Sequence, residues 1–356
     1  MGSEGSDERV IAGRYRLQAT VGRGGMGVVW RATDQLLGRE VAVKELVTDD
    51  SPSAARARSS RDRTLREARA LAQLRHPHIS VVHDVVEHDE RLYIVMELID
   101  GGSLADRLAT DGPVDAREAA RIGVALLGAL RAAHEAGVLH RDLKPANVLI
   151  ESGTGRVVLT DFGVAQVEGA TTLTESGTFV GSPEYTAPER MSGSGTGPAS
   201  DLWSLGVLLC TSVSGESPFH RDSLGGLLHA VVAAPIRPPE QAGPLLPVVH
   251  GLLERDPERR LDATQAERML RDFLETGRTR EPSRLQRTPR DRLVIALLVV
   301  AMVAAGVSAA ALFVNGGSGG GDGPPVSPAP STSFSTSSST SASPSAGASH
   351  SAPNRR

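Results

Sequence analysis

Only one of the 356 residues is a cysteine, Cys210, so neither an internal disulfide framework nor a multi-thiolate metal site is available. Aromatics are scarce as well: six Phe, three Tyr and two Trp leave no surface on which bases could stack. Basic excess is missing. Lys+Arg 38 against Asp+Glu 42 gives a formal charge of -4, the reverse of what a nucleic-acid binder carries, and no nucleic-acid partner is expected. No apolar run opens the chain, so residues 1–14 read as a flexible polar leader and not as a secretory signal. Lysine is the scarcest charge. Of the 38 basic side chains only Lys44 and Lys144 are lysines. A general preference for arginine does not explain where those two stand.

From about Tyr15 to Thr276 the composition is that of a folded domain. Strand-like runs come first, at Tyr15–Val21, Val28–Thr33, Arg39–Val47, Val81–Glu87 and Arg91–Leu98, and their β-branched content predicts an antiparallel meander. Between them Leu65, Ala68, Leu71 and Ala72 recur at helical spacing, so one helix over Arg61–Leu74 interrupts the strands. After Gly101 the pattern turns mainly helical: Asp115–Gly137, Ala199–Ser214, Leu224–Ala234, Leu245–Glu254 and Ala263–Leu274. The expected class is α+β, a small β-rich lobe followed by a larger α-helical lobe.

Residues 277–292 form a basic linker with six arginines, Arg278, Arg280, Arg284, Arg287, Arg290 and Arg292. Leu293–Val314 then runs for 22 residues without a charge. As a helix it is about 33 Å long, enough to cross a hydrocarbon core of about 30 Å. Arginines before the span, and none after it until Arg355 and Arg356, place the N-terminal domain in the cytoplasm and the C-terminus outside the cell membrane. Residues 315–356 are Gly-rich, then Ser/Thr/Pro-rich; they cannot bury a core and are expected to be a disordered extracytoplasmic tail.

Five segments inside the domain carry chemistry. Gly22-Arg23-Gly24-Gly25-Met26-Gly27-Val28-Val29 is a G-x-G-x-x-G-x-V turn with strand-like sequence on both sides. Such a turn can lay its backbone N–H groups over polyphosphate without side-chain obstruction. Fourteen residues on, Val41-Ala42-Val43-Lys44 alternates as a strand and ends on an ammonium. Glu67, in the middle of the Arg61–Leu74 helix, is the expected counter-charge for Lys44, whereas Asp62 sits at that helix's start and suits its dipole. His140-Arg141-Asp142-Leu143-Lys144-Pro145-Ala146-Asn147 follows, then Asp161-Phe162-Gly163 and Ala187-Pro188-Glu189. The ten His residues show no metal-binding spacing, and Cys210 lies on an apolar helical face and reads as core.

Together and in this order these signatures resemble the eukaryotic-like Ser/Thr protein kinases, specifically the bacterial transmembrane group. The resemblance implies a bilobal protein-kinase fold over residues 15–276, with ATP and Mg2+ between the lobes. It implies that Asp142 takes the proton of a substrate hydroxyl, that Lys144 reaches the transferring phosphate, and that Asn147 and Asp161 hold Mg2+. A Lys two residues after Asp142 is similar to Ser/Thr kinases, not tyrosine kinases. The resemblance further implies that Val21, Gly22, Gly24, Gly25, Gly27, Val29, Ala42, Lys44 and Leu149 line the nucleotide. Met96 would be the gatekeeper, with the Glu97 carbonyl and the Ile99 N–H meeting the adenine edge. Arg141 would receive a phosphorylated activation loop, with Thr174 and Ser176 as the matching phosphosites. Gly181-Ser182 stands where the family has Gly-Thr beneath the acceptor hydroxyl. Asp201 would tie down the catalytic loop, and Glu189 would pair with Arg260. Protein Ser/Thr side chains are the expected substrates, the membrane and a second copy of the chain the expected partners. A catalytically inactive ATP-binding scaffold and a small-molecule phosphotransferase are the alternatives.

Overall fold

The computed structural model describes residues 9–24, 27–46, 54–163, 182–193 and 195–279. The chain divides into two units, Met1–Arg284 and Leu285–Arg356, and every described residue belongs to the first. It begins with an antiparallel sheet of six strands: β1 (Val10–Ile11), β2 (Tyr15–Gly24), β3 (Gly27–Asp34), β4 (Arg39–Leu46), β5 (Val82–His88) and β6 (Arg91–Met96). Their order across the sheet is β1-β2-β3-β4-β6-β5. Between β4 and β5 runs the helix α1 (Ala54–Gln73), which starts seven residues earlier than its apolar spacing predicts.

The period-two alternation of strands sorts the side chains of β4 and β6 to two faces. Val41, Val43, Tyr93 and Val95 close over Ile11, Tyr15 and Leu17 on one face. Leu46, Leu92 and Ile94 join Ala68 and Leu71 of α1 on the other. By parity Ala42, Lys44 and Met96 share this second face, and the register sets Ala42 beside Met96 and Lys44 beside Ile94. The lysine is thereby delivered to the cleft side of the sheet.

The leader boundary needs correction. Val10 and Ile11 pair with Arg16 and Tyr15, Ile11 is fully buried, and the Arg9 guanidinium reaches both Tyr93 and Glu45. Two apolar residues are too few to show a period in sequence, so only their partner strand identifies them as structure.

At the far end of β3, Asp34 is completely buried. Its carboxylate accepts from Arg14 Nε and NH2 at 2.8 and 2.7 Å and from the N–H groups of Leu36 and Leu37 at 3.2 and 3.3 Å. The Arg14 hydrogen bond, chiefly, holds its pKa at about 2 against an ordinary 3.8. A carboxylate depressed on folding contributes stability above its unfolded pKa and loses it as pH falls through the folded one. Asp34→Asn is therefore expected to lower the Tm near neutral pH, with the gap from wild type closing between about pH 4 and pH 2. Thermal unfolding across that range checks this; a gap that does not change with pH refutes the assignment.

The second lobe is helical: α2 (Leu104–Asp111), α3 (Ala116–Glu135), α4 (Pro188–Met191), α5 (Pro198–Ser214), α6 (Leu224–Val232), α7 (Leu246–Leu252) and α8 (Ala263–Thr276), with a small hairpin of β7 (Val148–Ile150) and β8 (Val157–Leu159). Every residue of α5 from Ser200 to Val213 is buried, as a helix surrounded by others must be. Helix α2 lies in the helical region but is not singled out by its own periodicity. What marks it is local: the Ser103 hydroxyl accepts from the Asp106 N–H while the Asp106 carboxylate accepts from the Ser103 N–H, a reciprocal cap.

Among the described residues no helix is long and apolar enough to cross a membrane. The 293–314 span, most of the basic linker and the Ser/Thr/Pro-rich tail lie outside the described residues, as do Gly25, Thr174, Ser176 and Gly181.

Candidate active site

Lys44, on β4, is buried against α1 and the second lobe. Its Nζ lies 2.8 Å from Asp161 Oδ1, and both line a cavity behind Met96 together with Leu71, Ile94 and Phe162. The expected partner is elsewhere: Glu67 Oε1 accepts from Arg141 NH1 at 3.2 Å. The predicted Lys44–Glu67 pair is thus replaced by two others, Lys44–Asp161 and Arg141–Glu67. Competition explains it. A buried ammonium and a partly buried guanidinium each need a carboxylate, and Asp161 satisfies the first while Arg141 NH1 takes Glu67. Sequence spacing along β4 and α1 does not include Asp161 or Arg141 as rivals.

The catalytic loop is held from below by Asp201 on α5. Its Oδ2 and Oδ1 accept from the backbone N–H groups of His140 and Arg141 at 2.9 and 2.8 Å, and His134 Nε2 lies 2.8 Å from Oδ2. Burial alone would raise the Asp201 pKa; the His134 hydrogen bond and the His140 N–H more than offset it, so the carboxylate is held below its ordinary range. His134, in the last turn of α3, was not identified from sequence, because only the packing of α3 on α5 brings it to Asp201. The tie has a purpose in the backbone: Arg141 and Asp161 adopt φ of +66° and +60°. Each such non-glycine residue costs about 1–3 kcal/mol, a strain that surrounding bonds must hold.

His140 is fully buried, with Nε2 2.9 Å from the Thr160 carbonyl while its Nδ1 accepts from the Asp142 N–H at 3.3 Å. The bonding requires the neutral ring protonated on Nε2, and burial lowers its pKa accordingly. It fixes the loop to the strand end that carries Asp161.

Asp142 Oδ2 receives Lys144 Nζ at 2.7 Å and Asn147 Nδ2 at 3.2 Å; Asn147 Nδ2 also donates to the Asp142 carbonyl at 2.8 Å. Lys144 Nζ reaches Ser182 Oγ at 3.0 Å as well. One carboxylate, one ammonium and two polar side chains therefore meet at one point. Because the amide nitrogen of Asn147 is committed to Asp142, its Oδ1 remains as an oxygen donor. The Thr160 N–H donates to the Asn147 carbonyl at 3.0 Å, which holds Asn147 close to Asp161. An amide oxygen and a carboxylate side by side suit Mg2+, which takes oxygen ligands, one or two of them from protein.

At the connector between the lobes, the Glu97 N–H donates to the Val81 carbonyl at 2.9 Å. Among the described residues neither the Glu97 carbonyl nor the Ile99 N–H has a hydrogen-bond partner, which leaves one acceptor and one donor for an adenine edge. In the glycine turn, Gly22 and Gly24 lie on β2 and Gly27 on β3. A Cβ on Gly27 would stand 1.9 Å from the Glu45 carbonyl, and its φ is +129°, so only glycine fits. Val29 is register partner of Lys44, Val21 is exposed, and Leu149 on β7 pairs with Val158.

Glu189 and Arg260 meet in the second lobe. Arg260 NH1 and NH2 donate to the two carboxylate oxygens at 2.8 and 2.9 Å, with Ser200 Oγ donating to Oε1 at 2.8 Å.

Comparison with known proteins agrees with this geometry. The protein kinase domain family matches residues 15–270. Serine/threonine-protein kinase PknA of Mycobacterium tuberculosis is 41% identical over 249 residues, 68% of this chain and 56% of that one. Serine/threonine-protein kinase PkaA of Streptomyces coelicolor is 37% identical over 284 residues, 75% of this chain and 51% of that one. This chain thus spans about half the length of these curated relatives. The crystal structure of Rad53 1-466 in complex with AMP-PNP superposes with a TM-score of 0.60 at 28% identity, covering 71% of this chain and 64% of that one. The chain belongs to the protein kinase domain family, among its bacterial serine/threonine-protein kinases.

Proposed function

We propose that the protein transfers the γ-phosphoryl of ATP to Ser and Thr hydroxyls of proteins, its own included. The observation that carries this is the meeting of Asp142, Lys144, Asn147 and Ser182 beside the Lys44–Asp161 pair. In the reaction the acceptor oxygen forms a bond to the γ-phosphorus as the bond to the β–γ bridging oxygen breaks. The hydroxyl proton passes to Asp142, and ADP leaves. Lys144 offsets charge on the moving phosphoryl group, Ser182 sets the floor beneath the acceptor, and Lys44 directs the remaining phosphates. Asn147 and Asp161 would hold Mg2+, which when bound would offset negative charge on the phosphates.

Loop phosphorylation at Thr174 or Ser176 fits the pairing around Arg141. A phosphate carrying about -1.5 to -2 charges would compete with Glu67 for Arg141 and free Glu67 for Lys44. Leu293–Val314 would anchor the kinase in the cell membrane by a single pass, with the catalytic domain cytoplasmic and the tail outside. Protease added to intact cells should then remove an epitope fused after Arg356 and spare one fused before Met1; protection of both ends would refute this topology.

Incubation with γ-labelled ATP tests the activity. Label is expected on protein with wild type and to fall at least about 100-fold with Lys44→Met. Nucleotide binding without label in the wild type would leave an inactive scaffold, and label confined to small molecules a different phosphotransferase.

A further inference from the structure

The β7–β8 hairpin carries an arginine that the reaction above does not use. Arg156 NH2 donates to Glu97 Oε1 at 2.5 Å and to Glu151 Oε1 at 2.9 Å, Nε donates to Glu151 Oε2 at 3.3 Å, and NH1 to the Pro77 carbonyl at 3.3 Å. Three separate segments meet on one guanidinium: the first residue of the connector between the lobes, the turn of the second lobe's hairpin, and the loop between α1 and β5. Glu97 is held at its other end too. Its Oε2 accepts from the Val81 N–H at 3.4 Å, and its own N–H donates to the Val81 carbonyl.

Glu151 makes the anchor stiff. It accepts from Thr154 Oγ1 as well as from Arg156, and the Arg156 N–H donates to Thr154 Oγ1 at 3.1 Å, so side chain and backbone of Arg156 are fastened to the same turn. The Arg156 hydrogen bond, followed by that of Thr154, lowers the Glu151 pKa, and hydrogen bonds to Glu151 and Glu97 raise that of Arg156. All three side chains are about three-quarters buried. A planar fork with its donors spread over three nitrogens can hold two carboxylates and a carbonyl in separate directions, whereas a lysine offers three donors from a single nitrogen.

We propose that Arg156 is a positioning residue for nucleotide recognition. Through the Glu97 side chain it fixes the backbone of the connector, so that the Glu97 carbonyl and the Ile99 N–H stand at the spacing an adenine edge requires. This rests on the kinase reading above. Arg156 touches no reacting atom; it acts through the connector on the base end of ATP and not on the Asp142 machinery.

The test uses the full-length chain in detergent. KM and kcat are measured for ATP and for GTP, together with direct titration of each Mg-nucleotide and the Tm. Arg156→Ala is expected to raise the ATP KM about fivefold with kcat changed less than about twofold, because the lost interaction serves binding and not the transition state. The guanine base presents a carbonyl where adenine presents its amine, so the GTP KM should move less and the ATP preference should fall. Arg156→Lys, which keeps the charge without the fork, is expected to lie between, and it serves if the alanine variant does not fold. Glu151→Gln, which leaves the Glu97 contact, should shift the ATP KM by less. An unchanged ATP KM in folded Arg156 variants overturns the proposal. So does an equal rise for ATP and GTP accompanied by a lower Tm, the signature of a merely structural brace. A wild-type chain that does not bind Mg-ATP overturns the kinase reading, and this proposal with it.

Discussion

Asp142→Asn is expected to lower kcat by about 10²- to 10⁴-fold, the range that removal of a positioned proton acceptor produces. The substitution keeps the shape of the side chain but halves its acceptor capacity. Asp142 Oδ2 now takes hydrogen bonds from both Lys144 and Asn147. An amide nitrogen there would face the Lys144 ammonium, donor against donor, and an amide oxygen would accept the bonds but not the proton. Either way the transfer step loses its base. Since Asp142 lies on the second lobe and the adenine edge on the connector, the ATP KM should change by less than about threefold. The check is steady-state phosphorylation of a Ser/Thr peptide with the Tm measured in parallel. A variant retaining a tenth of the wild-type kcat would remove Asp142 from the role assigned here.

The largest expected stability effect lies well away from the chemistry. Arg260 is fully buried at its side chain, spans both oxygens of Glu189, donates to the carbonyls of Ala199, Glu254 and Arg255, and lies over the Trp203 ring at 5.3 Å. Removing one partner of a buried pair leaves an uncompensated charge, at a cost of about 3–5 kcal/mol. For a domain of this size, Arg260→Ala should lower the Tm by roughly 10 °C. The pH dependence should also change sign. Burial by itself pushes the Glu189 carboxyl up, and in the wild type Arg260 more than offsets that, so the folded pKa is depressed and the pair's contribution fades only on acidification. Without Arg260 burial prevails. The variant's deficit should then be greatest near neutral pH and shrink as Glu189 takes up a proton. Glu189→Gln combined with Arg260→Met should recover at least half of the lost Tm, because no charge remains buried. A single variant within about 2 °C of wild type would show that the pair contributes little.

The two lobes and most of the chemistry were legible in the sequence because they rest on local patterns. Alternation in Val41–Lys44 and Arg91–Met96 marks strands, and the His140–Asn147 run places its polar groups within a few residues of one another. Three things were not legible. Val10–Ile11 is too short to carry a period, and it is structure only because Tyr15 and Arg16 pair with it. Asp201 receives His134 only because α3 packs on α5. Arg156 gathers Glu97, Glu151 and Pro77 across 79 residues of chain, and no window of sequence contains all of them.

The choice of ion-pair partners divides the two kinds of information most clearly. Residue order alone determined which charged and polar groups would enter the cleft: strand parity sends Lys44 inward, and the loop after His140 presents Asp142, Lys144 and Asn147. Tertiary structure alone decided who pairs with whom, joining Lys44 to Asp161 and Glu67 to Arg141. The physical reason is that side-chain direction is a local property of backbone geometry, whereas an ion pair is a competition among all charges that folding brings within a few ångströms.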